Sequence, residues 1–240
     1  VLQCVQSVLE SKEKNFDIYV VDNASSDGSA EALKKAYGNR ITVIENKENL
    51  GGSGGFNTGL RIVRDKGYSY FMCLDDDAAV DENALSVLYH YMEEHTDTGM
   101  AGCRVYHTQM SDYIQQSGLL IDFDNCTAKT IGADMPEDGS LPDVIECDTV
   151  ATCAVMVRAD TVKQKGVGIM PEDNFIYWDD MEWGYRIKLA GYRVVTLAEA
   201  KALHQMGRIQ RRKIPLSIII CGETGPISLC GLRRRRRWRQ

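Results

Sequence analysis

Three consecutive aspartates, Asp75, Asp76 and Asp77, follow directly on the apolar run SYFMCL (69–74). Adjacent carboxylates repel one another, and holding them against a hydrophobic segment is costly unless a cation shares their charge. Side chains two apart on an extended segment point the same way, so Asp75 and Asp77 form the pair for a divalent ion, with Asp76 facing elsewhere. Oxygen ligands suit Mg²⁺ or Mn²⁺ better than Zn²⁺. The alternative reading is a solvated acidic turn that caps the next helix.

A second polar cluster, DNASSDG (22–28), closes another apolar run. It reads either as an Asx-rich turn ended by Gly28 or as a nucleotide subsite in which Asp22 accepts a hydrogen bond from a base or ribose. The stretch NLGGSGGF (49–56) lacks dinucleotide-fold spacing, because position 57 is Asn, and no Walker-type GK[ST] follows. It is expected to be a flexible turn at a helix N-terminus, where backbone approaches a phosphate closely. In WDDMEW (178–183), Trp178 and Trp183 bracket Asp179, Asp180 and Glu182. Sugar rings, which stack one face and hydrogen-bond their hydroxyls, fit such a patch. The competing reading is an acidic helix start with both tryptophans in the core. His90, His95 and His107 read as structural; His204 follows the strand-like YRVVTL (192–197) by a short link.

The elements that must position these residues alternate. IYVVD (18–22), ITVIE (41–45) and SYFMCL (69–74) read as buried strands, and helices follow over 29–37, with Ser29 as N-cap, and through Gly59, Leu60, Ile62 and Val63. A further helix, 81–95, has apolar positions Ala84, Leu85, Leu88, Tyr91 and Met92 at the 3.6-residue period. Strand–helix repetition predicts an α/β fold whose mostly parallel sheet is flanked by helices, with ligands at the strands' carboxyl edge. Residues 104–146, with the short strand candidate SGLLID (117–122) and turn-rich stretches, read as a partly mobile excursion over the sheet, CDTVATCAVMVRAD (147–160) as a returning strand, and the segment 174–192 as holding a compact helix bounded by Asp179/Asp180 and Gly191.

The 240 residues are 44% hydrophobic and 26% charged, a composition that excludes intrinsic disorder. Residues 208–240 carry ten Lys/Arg against one acid, which leaves −15 on the body and argues against a nucleic-acid partner. No apolar run approaches the ~18 to 20 residues of a membrane-spanning helix. Eight cysteines include no CxxC pair, and Cys73, Cys103 and Cys153 lie in apolar runs. They read as buried reduced thiols in a reducing compartment. The chain opens on VLQCVQSVLE without a Met, which implies a missing upstream segment. The Arg-rich end reads as a disordered or non-native tail (208–240), or as a grip on anionic lipid or polyphosphate.

VVDNASSDGS, NLGGSGGFNTG, LDDDA, YWDDMEWGYR and the trailing His204, in that order, resemble a family-2 inverting glycosyltransferase of the GT-A fold. The nearest branch is the galactofuranosyl- and rhamnosyl-transferases, and the resemblance covers residues 1–207. It implies a metal-dependent transfer of a hexosyl group from a UDP- or dTDP-sugar to a glycan or lipid-linked glycan; the thiols and the basic tail, not the resemblance, give the expected cytoplasmic location with a peripheral contact on the membrane's inner face. The resemblance places Asp75, Asp77 and His204 on Mn²⁺ or Mg²⁺, and Asp22, Asn23, Asn49, Gly51, Gly52 and Asp76 beside the donor. Asp180 matches the general base, and Trp178, Asp179, Glu182 and Trp183 the acceptor pocket. The family's first strand, with its Thr-Tyr-Asn-like motif, has no counterpart at the start of this chain, so one sheet position is expected to stand empty. The rival functions are nucleotidyl transfer, a non-catalytic carbohydrate-binding module and an inactive fragment.

Overall fold

Apolar runs ended by polar turns do become strands in the computed structural model, which describes residues 1–175, 178–205 and 217–222. After helix α1 (Leu2–Glu10) come β1 (Phe16–Asp22), α2 (Ser29–Tyr37), β2 (Thr42–Glu45), α3 (Gly51–Arg64), β3 (Tyr70–Asp75), β4 (Ala78–Val80) and α4 (Ala84–Glu94). The excursion holds the strand expected at SGLLID and several more: β5 (Thr98–His107), β6 (Met110–Gln116), the hairpin β7 (Leu119–Asp122) and β8 (Thr127–Thr130), then β9 (Met135–Pro136) and β10 (Val144–Glu146). Its anchor is the buried Arg104, which pairs with Glu137 at 3.1 Å and donates to the Pro142 carbonyl. β11 (Ala154–Arg158), α5 (Asp179–Leu189), β12 (Arg193–His204) and β13 (Ser217–Gly222) complete the order.

The main sheet runs β10-β12-β5-β11-β3-β13-β1-β2. β2, β1, β3, β5 and β12 all point one way, so the sheet is mostly parallel in direction. β11 and β13, interleaved between them, run antiparallel to both of their neighbours. β13 occupies the position expected to be empty. It joins β1 (Ile18↔Ile220) to β3 (Met72↔Ile220), and both partner strands gain a full hydrogen-bond ladder. Residues 217–222 therefore belong to the sheet and not to a loose tail; the Arg-rich run lies outside the described residues.

Alternation along the strands splits the core in two. On one face Ile18, Val20, Met72, Leu74, Ile218 and Ile220 pack under α1, α2 and α4; on the other, Tyr19, Phe71, Cys73, Ile219 and Cys221 pack under α3 and α5. The reduced-thiol expectation agrees with Cys4, Cys73, Cys103, Cys147, Cys153 and Cys221, which are buried and unbridged.

Two local expectations need correction. Ser29 is the first residue of α2 and not its cap: Gly28 holds that place in a left-handed conformation (φ 79°), and Ser29 donates to Asp27 Oδ1 at 2.7 Å. The glycine-rich stretch is not a loop, because α3 already begins at Gly51. Its glycines allow close packing on the sheet. A Cβ on Gly59 would stand 2.1 Å from Ile219 Cδ1, so any larger residue would push α3 away from β13.

Candidate active site

β3 ends at Asp75, and a turn at Asp76–Asp77 leads into β4, which pairs antiparallel with the end of β12 (His204↔Ala78). Asp75 and Asp77 thus converge through a turn and not through strand pleat. His204 lies on the same long strand as 193–197, carried past a bulge at 197–201. The His204 Nε2 atom stands 3.2 Å from Asp77 Oδ1 and 3.8 Å from Asp75 Oδ2. One ligand atom from each of the three residues lies within 4.8 Å of the others, so a single ion could touch all three. Two carboxylates and an imidazole fit a divalent cation.

The electrostatics show the strain of this cluster. Burial raises the Asp75 carboxyl to about 6; His204 opposes the shift, while Asp77, Asp180 and Asp179 add to it. Asp76 is pushed to about 7 by burial and its two neighbours. Burial alone would lower the His204 imidazole, yet the Asp77 hydrogen bond and the charges of Asp75, Asp77 and Asp76 together raise it. The carboxylates thus favour positive charge at His204, and the same field would favour a cation there.

α5 delivers the second acidic group to this edge. Trp178 caps it in a left-handed conformation (φ 66°), a strained state for a bulky residue, and is 51% exposed. Asp179 and Asp180 follow in the first turn, where the helix dipole favours carboxylates. Asp180 is raised to about 6 by burial and then by Asp179, and its charge reaches Asp75. Asp180 Oδ1 accepts from the Met181 amide at 2.8 Å, and the Asp180 carbonyl accepts from Thr149 Oγ1 at 2.6 Å. Asp179 is buried and shifted upward by that burial. Glu182 is exposed, accepts from Asn174 at 3.2 Å and pairs with Arg186. Trp183 departs from expectation. It is fully buried, stacks on Phe71 at 6.2 Å and donates to the Gly168 carbonyl, so it is core and not acceptor surface.

Asp22 closes β1 beside the same edge and accepts from the Ser25 amide at 2.9 Å. Asn23 is 2% exposed and hydrogen-bonded to capacity. Its Nδ2 donates to Asn49 Oδ1 and the Gly51 carbonyl, and its Oδ1 accepts from Asn46 Nδ2 and the Leu50 amide. An amide so engaged shapes the 46–51 loop and has nothing left for a ligand. Asn49 also accepts from the Gly51 amide. Gly51 has φ 79°, and a Cβ there would stand 2.3 Å from the Phe175 carbonyl, so only glycine fits. The Gly52 amide donates to that same carbonyl at 2.8 Å, and a Cβ on Gly52 would face Asp179 Oδ2 at 3.8 Å. The start of α3 is thus tied to the segment before α5, and its first two amides are engaged within the protein.

Two residues escaped the sequence reading. Phe175, 49% exposed and held at φ 54°, forms the lip between the α3 start and α5. Gln115, on β6, accepts from His204 Nδ1 at 2.7 Å. Neither lies in a charged or glycine-rich motif. Gln115 reaches the site through long-range strand pairing that no local pattern announces.

The sequence profile of Glycosyl transferase family 2 matches residues 1–156. Glycosyltransferase GlyG of Streptococcus pneumoniae serotype 4 is 27% identical over 95 residues, which is 39% of this chain and 31% of that protein. Poly-beta-1,6-N-acetyl-D-glucosamine synthase of Staphylococcus aureus is 32% identical over 81 residues, 33% of this chain and 19% of its own length. The chain thus spans less than a third of each of these relatives. GalNAc-T7, solved with UDP, GalNAc and Mn²⁺, superposes with a TM-score of 0.64 at 13% identity over 85% of this chain and 40% of that one. S. aureus TarS gives 0.59 at 14% identity over 85% and 34%. At those identities the superpositions establish the GT-A-like fold alone. The profile spans well over half the chain and ends within β11, beyond the aspartate turn, and on that match the protein belongs to glycosyl transferase family 2.

Proposed function

We propose that this chain transfers a sugar, with inversion, from a nucleotide-diphosphate donor to a hydroxyl of a glycan or lipid-linked glycan. The observation that carries the reading is the meeting of Asp75, Asp77 and His204 at one sheet edge with Asp180, whose charge is felt at Asp75. Asp75, Asp77 and His204 would hold the cation, and the imidazole favours Mn²⁺ over Mg²⁺. When bound, the ion offsets the charge that grows on the departing diphosphate.

The rest falls to the protein. Asp180, ionised above about pH 6, takes the acceptor hydroxyl's proton while that oxygen forms its bond to the anomeric carbon. The bond from that carbon to the diphosphate oxygen breaks on the opposite face, and the nucleoside diphosphate leaves. Trp178 offers an exposed ring for the acceptor sugar to stack on, with Asp179 and Glu182 lining the approach. Asp22 faces the base or ribose, and Asn23, Asn49, Gly51 and Gly52 set the loop beside the donor; Asp76 stays at its margin. The donor is read as a UDP-sugar, with dTDP-rhamnose the competing choice, and the specificity as galactofuranosyl or rhamnosyl. The GalNAc-T7 complex with UDP and Mn²⁺ supports the nucleotide and the metal, and the polysaccharide synthase among the relatives supports a cell-envelope glycan. A contact of the Arg-rich end with anionic lipid on the cytoplasmic face completes the reading.

The test is a panel of UDP- and dTDP-sugars with Mn²⁺, read by thermal stabilisation and by release of nucleoside diphosphate. Release of pyrophosphate would point to nucleotidyl transfer. Glycan binding indifferent to metal and nucleotide would point to a binding module. Undiminished donor turnover in excess chelator would remove Asp75 and Asp77 from the metal.

A further inference from the structure

Gln115 is buried on β6 and touches His204 twice. Its Nε2 donates to the His204 carbonyl at 3.2 Å, and its Oε1 stands 2.7 Å from His204 Nδ1. A carbonyl oxygen only accepts, so the amide must turn its NH₂ toward it. The reversed amide would set two oxygens face to face and place an NH₂ against the ring nitrogen. With the amide fixed, Oε1 has no proton to give, and Nδ1 must be the donor. The opposite ring nitrogen, Nε2, points at Asp77 and Asp75.

We infer that Gln115 is a positioning residue that commits His204 Nδ1 to a proton, leaving Nε2 the one nitrogen able to offer a lone pair to a cation. With Nδ1 protonated, the lone pair left for a cation would be that of Nε2, on the side of Asp77 and Asp75. The two hydrogen bonds also fix the plane of the ring, because they grip the residue at its backbone and at its side chain. A ligand that needs no rotation and no change of tautomer binds more tightly, and removing such supporting contacts typically costs ~10- to 100-fold in metal affinity. The effect on metal rests on the metal reading above; the state of Nδ1 does not.

The experiment uses the full chain with ¹⁵N-labelled histidine, first metal-free. The His204 Nδ1–H correlation, assigned by its loss in His204→Ala, is expected to be slow to exchange in the wild type and in Gln115→Glu, whose carboxylate still accepts. It is expected to vanish into solvent exchange in Gln115→Leu. Free Mn²⁺ is then counted by its paramagnetic resonance during titration: Gln115→Leu should bind ~10- to 100-fold more weakly, with Gln115→Glu, which keeps the acceptor for Nδ1 but loses the donor to the His204 carbonyl, restoring the affinity in part. An unprotonated Nδ1 in the wild type overturns the inference, as does a Gln115→Leu protein that keeps both the protected proton and the wild-type affinity. The wild-type measurement decides even where a variant fails to fold. A wild type with the protected Nδ1–H that binds no Mn²⁺ upholds the Nδ1 assignment and sinks the metal reading instead.

Discussion

Asp180, proposed above as the base, would combine that role with a cost in stability, and both follow from its surroundings. Its carboxyl is raised to about 6 by burial and by Asp179, close to the value at which a base is both ionised and able to hold a proton. Turnover should therefore fall tenfold per pH unit below about 6, an acid limb seen in the kcat profile. Asp180→Asn should lower kcat by roughly 10²- to 10⁴-fold with the fold intact; near-normal kcat would remove the base assignment. Because the folded value lies above the unfolded one, the carboxyl's contribution to stability is fully present in acid and is lost as pH rises through about 6. The same Asn variant should thus be more stable than wild type at pH 8 without metal, by about 1 to 3 kcal/mol, measured by denaturant melts. The two tryptophans make a further contrast. Trp183→Ala should lose about 3 to 5 kcal/mol by emptying a core site. Trp178→Ala should leave the melting point unchanged and raise the acceptor KM. Sequence composition made the two rings look equivalent, but Trp183 lies inside α5 whereas Trp178 stands outside it as its left-handed cap.

At the scale of elements, period and polarity were enough to read the strands. Runs such as IYVVD and SYFMCL are buried on both faces and end in aspartates, Asp22 buried with its strand and Asp75 half-buried. The start of α3 was illegible for a physical reason. Glycine disfavours helix by ~1 kcal/mol each, and the gain that outweighs it is tertiary. At Gly59 the gain is contact with Ile219 and Val21, whose side-chain carbons would stand 2.1 and 3.2 Å from a Cβ. Gly59→Val should therefore cost about 1 to 3 kcal/mol through overpacking, despite valine's better intrinsic helix propensity. A variant as stable as wild type in thermal melts would mean that α3 does not lie against β13. Asp22 and the turn at 75–77 could be read locally because each sits at the end of its own strand. Gln115, and the passage of β12 through its bulge to His204, depend on pairings between segments about 90 residues apart, which leave no local trace.

The whole molecule depends on how its sheet is closed across the middle. β1 and β3 carry Asp22 and Asp75 to the same edge, and β13 is the strand hydrogen-bonded to both. Its side chains serve both cores: Ile218 and Ile220 under α1, α2 and α4, and Ile219 and Cys221 under α3 and α5. Without it, two long apolar strands would face each other across a gap as unpaired edges, a state prone to aggregation. The resemblance to known glycosyltransferases exposed the empty position but not its occupant, because a six-residue apolar run near an Arg-rich end gives no hint of which strands it joins. Ile219→Asp places an unpaired charge in the centre of the sheet, at a residue with no exposure. It should cost more than about 3 kcal/mol and abolish cooperative unfolding. Leu2→Asp, on an exposed position of α1, should leave the melt unchanged. If the Ile219→Asp protein keeps its near-ultraviolet circular dichroism and melts with the wild type, β13 does not hold the middle of the sheet, and the alignment of Asp22 with Asp75 must have another cause.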